Sequence, residues 1–166
     1  ERGVWSREDA MKRGTTGSVL RASGVDFDIR KKEPYDVYEE LDFQTNVLKE
    51  GDSYARSKIP WLDMLESCRI IRDALQKMPK SGSVRVKLKP KPKGGDTEVY
   101  RRVESGRGAL AMHIVSDGNS QPYRIKINVP SFRNLIAMPH LLTGEKLGNL
   151  PPVYWSLNYW PVEADR

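Results

Sequence analysis

The stretch VESGRGAL sets one arginine, Arg107, between Gly106 and Gly108. Glycines on both sides let a backbone come close to a ligand while the guanidinium offers charge and forked donors. The same pattern also suits a tight connection between strands with the arginine at the surface. Other reactive residues are few. Cys68 is the single cysteine and His113 and His140 the two histidines, too few for a zinc or multi-cysteine metal site of the chain's own. Ser53 in GDSYARS lacks the Gly-x-Ser-x-Gly turn of an acyl-transfer nucleophile and fits a helix start better. No Walker loop, dinucleotide glycine signature or zinc-protease motif occurs, so catalysis by the chain alone is not expected. KLKPKPK, Lys87 to Lys93, offers cations to phosphate, lipid headgroups or an acidic neighbour, or is a solvated loop. Finally, NYWPVEADR carries Tyr159 and Trp160. Disordered tails are poor in such aromatics, so this segment is expected to be held inside a structure.

The elements that must position these residues follow from length and pattern. The 166 residues make about one domain, and 38% hydrophobic against 30% charged residues suits a large wet surface or interface. No run approaches the roughly 18 apolar residues that span a membrane, and no signal peptide pattern is visible, so a reducing, cytoplasmic-side location is expected. A net charge of +6 is a small excess and does not by itself point to nucleic acid.

WSREDAMKRG predicts a short helix, with Ser6 as cap, Glu8 and Asp9 in its first turn and Gly14 closing it. TTGSVLRASG predicts a structured loop, and PYDVYEELDF an extended, partly buried segment through Tyr35, Val37, Leu41 and Phe43. Between Asp52 and Met78, Trp61, Leu65, Cys68, Ile71, Leu75 and Met78 recur at spacings of three and four. They predict a long helix with a buried apolar face that takes in Cys68, capped by Asp52 or Ser53 and stopped by Pro79. Pro60 would kink this helix or displace its start.

Residues 84–97 form a basic connector rich in proline and glycine. TEVYRRV, ALAMHIVSD and PYRIKINV alternate with period two and predict strands, the last two joined through Asp117-Gly118-Asn119, with His113 structural. PSFRNLIAMPHLL predicts short helical pieces capped by Ser131 and interrupted at Pro139, and GNLPPVYWSLN a further helix with prolines in its first turn. The fold class is α+β: a long helix and shorter helices packed on a small antiparallel sheet.

Taken in order, TGSVLRASGVDFDIRK, PYDVYEELDF, GDSYARS, SCRIIRDALQKMP, VESGRGAL, IVSDGNSQPYRIKINVPSF and EADR resemble the hydrogenase-like quinone-site subunit of respiratory complex I. This is the D-type, or 49-kDa, subunit. The resemblance spans residues 1–166, which look like the C-terminal half of such a subunit, and implies the fold of the C-terminal part of nickel–iron hydrogenase-like large subunits. Membrane-bound nickel–iron hydrogenases share most of these segments, but the tail separates the two. Hydrogenases carry a Cys-x-x-Cys pair there, and thiolates are what that metal pair requires. In register, Trp160 and Glu163 stand at the two cysteine positions. A tryptophan cannot ligate metal and a lone glutamate cannot replace two bridging thiolates, so this half of the site holds no metal.

The resemblance implies that the segment lies at the inner end of a quinone cavity, beside the terminal iron–sulfur cluster of a neighbouring subunit. Arg107, at the position of the hydrogenases' active-site arginine, would stabilise developing anions. Glu163 would pair with it, relay protons or form a structural salt bridge. Complex I members end in a pattern like Asp-x-Val-Phe-Gly-Glu-x-Asp-Arg. Here Glu163, Asp165 and Arg166 fit, while Asn158 replaces the aspartate, Trp160 the valine, and Pro161 and Val162 the Phe-Gly. Asn158 loses a charge and Trp160 narrows the pocket, which leaves room for a different acceptor. Asp165 and Arg166 would anchor the terminus.

The implied partners are a cluster-bearing subunit, a C-type companion subunit and a membrane arm, at the cytoplasmic face of the cell membrane. The chain would bind no cofactor itself: quinone is the substrate, and NAD serves the complex if NADH is the donor. The family's headgroup tyrosine and histidine belong to its N-terminal half and match no residue here. Two alternatives stand beside this: a remodelled hydrogenase-related subunit lacking nickel–iron ligands, and a basic module binding nucleic acid or an acidic partner through KLKPKPK. Nucleic acid is the least expected partner.

Overall fold

Ser6 accepts a hydrogen bond from the Asp9 amide at 3.0 Å and so starts helix α1, Arg7–Lys12. Glu8 and Asp9 lie in its first turn and Lys12 in its last, the charges that the helix dipole favours at each end. The computed structural model describes residues 2–87 and 94–165, so residues 88–93 of the basic connector, together with Glu1 and Arg166, lie outside the described residues.

TTGSVLRASG is not a loop. Gly17–Ala22 form helix α2, with Ser18 to Ala22 all buried. A short helix enclosed on every side has no polar face, and therefore no period by which a sequence betrays it. Helix α3, Ile29–Lys32, is capped by Asp28, which accepts from the Arg30 amide at 3.0 Å. PYDVYEELDF likewise departs from the extended form. Asp36 takes a φ of 52°, a 3-10 turn follows at Tyr38–Glu40, and Val37 is exposed while Phe43 is buried. Edge-on packing of Tyr35 on Tyr38, at 5.1 Å between centroids, holds this bend.

Helix α4, Ser53–Lys77, starts at Asp52, whose carboxylate accepts from the Ala55 amide at 2.8 Å, and it runs through Pro60. Its faces are the reverse of the expected arrangement. Trp61, Leu65, Ile71 and Leu75 are 67%, 63%, 58% and 62% exposed, and Cys68 is exposed with them. The opposite, mixed face turns inward. There Arg56 and Ile59 are buried, Asp63 takes a bidentate bond from Arg21 at 2.8 and 2.7 Å, and Glu66 accepts from the Gln44 amide at 2.9 Å. Hydropathy finds the apolar stripe but gives no weight to carboxylates that meet a specific donor.

Strands β1, Asp96–Ser105, β2, Gly108–Asp117, and β3, Arg124–Asn128, form an antiparallel sheet in the order β1-β2-β3. Val103 lies opposite Leu110, and Met112 opposite Ile127. Gly118, with φ 82°, turns the β2–β3 connection as its sequence anticipates. His113 sits within β2, 2.6 Å from Glu98.

Helix α5, Pro130–Asn134, is entered through Val129 with Pro130 in its first turn, so Ser131 is a buried helical residue and not the cap. A 3-10 turn at Leu135–Ala137 leads into α6, Met138–Leu142, which accommodates Pro139 in its first turn without a break. Helix α7, Leu150–Ser156, and the single turn α8, Pro161–Ala164, complete the fold. Trp5, Ala10, Val19, Leu20, Leu141 and Val153 make the main core, with Tyr159 packed against it. The first aromatic of the NYW stretch is thus held inside.

Candidate site at the β1–β2 hairpin tip

Two glycines bring the hairpin tip against the start of α2. A Cβ added at Gly17, where φ is 63°, would lie 2.1 Å from the Arg107 carbonyl oxygen; one at Gly108 would lie 2.6 Å from the Thr16 Cγ2. The contact is fixed by hydrogen bonds. The Ala109 amide donates to Thr16 Oγ1 at 3.0 Å, and the Thr16 amide donates to Asn134 Oδ1 at 2.8 Å. Asn134, itself buried, returns a bond to the Thr16 carbonyl at 3.2 Å. Tip, α2 and α5 are locked through one threonine and one asparagine. Gly17→Ala is therefore expected to destabilise the chain by about 2–4 kcal/mol, from a left-handed backbone plus a clash with a carbonyl that has no room to move. The midpoint of urea unfolding measures it.

Above this fixed tip the C-terminal segment closes. The Arg107 guanidinium carbon lies 5.3 Å from the centroid of the Trp160 ring. Arg107 Nε is buried with no hydrogen-bond partner among the described residues. Asn158, in a left-handed conformation at φ 50°, reaches the Gly106 carbonyl at 3.5 Å through its amide nitrogen. Glu163 does not pair with Arg107. Its carboxylate accepts from the Ser131 amide at 3.2 Å, from the Ser131 hydroxyl, and from the Ser105 hydroxyl at 3.4 Å. The Trp160 amide donates to Ser131 Oγ at 3.2 Å. Arg107 and the distant C-terminal segment that carries Asn158, Trp160 and Glu163 thus meet at one place. Asp165 is exposed and bonds through its amide to the Pro161 carbonyl at 3.0 Å, so the side-chain bonds that hold this end come from Glu163. Arg166 lies outside the described residues.

Side chains alternate along a strand, so Glu104 leaves β1 on the face opposite Ser105. It borders a cleft of 280 Å³ that also touches Gly106 and Gly108. The Tyr38 hydroxyl donates to Glu104 Oε1, while Oε2 is buried without a partner among the described residues. Burial pushes the Glu104 carboxyl above its ordinary range, and Asp28 adds to this while Arg30 opposes it. Burial also works against ionised Asp28, but the Arg30 hydrogen bonds and charge outweigh it and hold Asp28 low. Among the described residues no cluster of three His, Cys, Asp or Glu side chains is placed to hold a metal ion. At the tip, the indole has no lone pair to give a metal, and the Glu163 oxygens are engaged by Ser131 and Ser105.

Thr16, Asn134, Ser105, Ser131 and Glu104 escape a reading of the sequence. Period two in RRVES separates Glu104 from Ser105, and that is the one local signal. The other partners lie 29 to 118 residues apart along the chain.

This geometry meets its relatives in the family described as the respiratory-chain NADH dehydrogenase 49 Kd subunit, which matches residues 1–94 and 89–166. The chain belongs to that family. It is 40% identical over 163 residues to the D subunit of the NADH-quinone oxidoreductase of Bacillus cereus, and equally to that of Bacillus anthracis; these matches take in 98% of this chain and 44% of the relative. Among solved structures, a chain of the membrane-bound sulfane sulfur reductase, an archaeal respiratory membrane complex, superposes with a TM-score of 0.91 at 37% identity. That match covers 99% of this chain and 46% of the other. The chain spans less than half the length of the relatives it matches.

Proposed function

We propose that the chain is the C-terminal part of the hydrogenase-like subunit of a proton-translocating NADH:quinone oxidoreductase, or of one with a related donor. In this reading the hairpin tip and the segment from Asn158 to Glu163 form part of the quinone cavity and of the interface to the iron–sulfur subunit. The observation that carries it is Arg107: a cation fixed at its backbone, stacked on an indole and paired with no carboxylate among the described residues. Reduction of a quinone by two electrons and two protons places negative charge on the headgroup oxygens before protonation is complete. A preorganised guanidinium stabilises that charge, and the indole, 49% exposed, offers its face to the ring. Electrons come from clusters of a neighbouring subunit, and NAD enters only at a distant donor site.

No described helix is long and apolar enough to cross a membrane. In this reading the chain sits in the peripheral arm, at the cytoplasmic face. The exposed stripe of α4 supports a place inside a larger assembly. Trp61, Met64, Cys68, Ile71, Leu75 and Met78 alternate by three and four, the seam that a second helix fits. Lys58 and Arg72 edge it, which suits a helix with acidic flanks from the N-terminal part of the longer subunit.

In the assembled enzyme, Trp160→Ala is expected to raise the KM for quinone about tenfold, through lost ring contact and lost cation–π attraction. Unaltered quinone kinetics in a fully assembled variant would remove the pocket role. A second reading, an anionic sulfur acceptor in a hydrogenase-related complex, is favoured by the 37% identity to the sulfane sulfur reductase chain and by Trp160-Pro161-Val162 in the tail. Assaying the complex with quinone and with polysulfide separates the two.

A further inference from the structure

Strand β3 is a sheet edge. It pairs with β2 on one side and with no strand among the described residues on the other. A groove of 1110 Å³ runs along the free side, bordered by the four consecutive residues Ile125 to Asn128. Contact with every residue in turn, and not with alternate ones, means that the strand's backbone edge takes part. The end of α1 at Met11 to Gly14 lines it together with Phe132 and Ile136. Met11 is 59% exposed and Phe132 64%, so the walls are apolar and open. Lys12, Arg13, Lys126 and Arg133 also line the groove, and no carboxylate does. Arg13 has Asp9 at 3.6 Å and Arg133 bonds Asn128 at 3.0 Å. Lys12 and Lys126 enter no ion pair among the described residues.

We propose that this groove receives an extended acidic segment of a partner protein, which adds to the sheet alongside β3. An open edge presents a row of amides and carbonyls that must be bonded once water is excluded, and another strand satisfies all of them in register. A helix laid in the groove would leave that row unpaired. Apolar side chains on alternate positions of the incoming segment reach Phe132, Ile136 and Met11, and carboxylates between them meet Lys12 and Lys126. The lysines also guard the edge against pairing with a second copy of itself, because like charges would then face one another. The groove lies apart from Arg107 and Trp160, so the inference does not depend on which acceptor the complex uses.

The full chain is titrated with an end-blocked peptide of alternating glutamate and valine, and amide exchange is followed residue by residue. Binding is expected to slow exchange at those β3 amides that β2 does not engage. Lys126→Glu is expected to weaken it about tenfold, and methylating alternate peptide nitrogens to abolish it. Lys12→Glu, in the exposed last turn of helix α1, serves equally should Lys126→Glu not fold. If the methylated peptide binds as well as its parent, side-chain attraction alone is at work and strand addition is wrong. Binding to phosphatidylglycerol vesicles but not to the peptide would make the groove a lipid surface, and binding to neither would end the proposal.

Discussion

Arg107→Met in the assembled complex is expected to lower kcat/KM for the acceptor about 100- to 1,000-fold, the usual loss when one preorganised donor to a developing anion is removed. The tip is held by the approach of Gly17 to the Arg107 carbonyl and by contacts of Gly108 and Ala109 with Thr16, none of which uses the arginine side chain. Methionine keeps the apolar stem against the Trp160 ring, so the variant is expected to unfold at the same urea concentration as the parent while its turnover falls. Arg107→Lys restores the charge but not the planar stack or the fork of donors, and an intermediate rate follows. The decisive readout is the partition between constants. A loss confined to KM means that the arginine binds reactant and transition state alike; a loss in kcat means that it acts on charge that appears only during reduction. Full activity in an assembled Arg107→Met complex removes the arginine from the mechanism.

The same tip divides what the sequence makes legible from what it does not. Ser6 and Asp52 are readable as caps because a cap depends on residues two or three positions away. The three strands are readable from period two, and their turn from Gly118. Helix α2 is not, because burial on all sides erases periodicity and because its glycine serves a contact with Arg107, ninety residues onward in the chain. The site divides in the same way. Resemblance to a family brings Arg107, Asn158, Trp160 and Glu163 forward, yet the pairing of Glu163 with Ser131 and Ser105 instead of Arg107 follows from long-range packing. Helix α4 teaches a separate lesson. Its apolar stripe is correctly found, but a stripe says only that something covers it, and here its own chain takes the other face. Carboxylates such as Asp63 and Glu66 look solvated by type and are internal by contact.

Arg56 is the extreme case of that polar inner face, and Arg56→Ala is expected to destabilise the chain by about 3–5 kcal/mol, among the largest effects of any single substitution. The side chain is 0% exposed. Its Nη1 donates to the Gly51 carbonyl at 2.6 Å, Nη2 to Ser53 Oγ at 3.1 Å, and Nε to Ser156 Oγ at 3.1 Å. It forms no salt bridge with a carboxylate among the described residues. Burial pulls its pKa down to about 10, with the charge of Asp52 offsetting part of the fall, so the guanidinium still carries its proton at neutral pH. Such a charge is tolerated because each of its three nitrogens finds an oxygen. Removing the fork opens a cavity between α4 and α7 and takes one donor from each of three oxygens: the Gly51 carbonyl keeps only the Trp5 amide, at 2.8 Å, and the Ser53 and Ser156 hydroxyls still donate to the Arg2 and Val153 carbonyls but accept nothing from Arg56. Arg56→Met separates these contributions. It fills most of the volume and removes the cost of burying a charge, so about 1–3 kcal/mol of loss is expected, the share that belongs to the oxygens that lose a donor. Urea unfolding of the three proteins ranks them. A methionine variant as stable as wild type would mean that the three hydrogen bonds merely offset the desolvation of the charge, and that packing alone joins the start of α4 to α7.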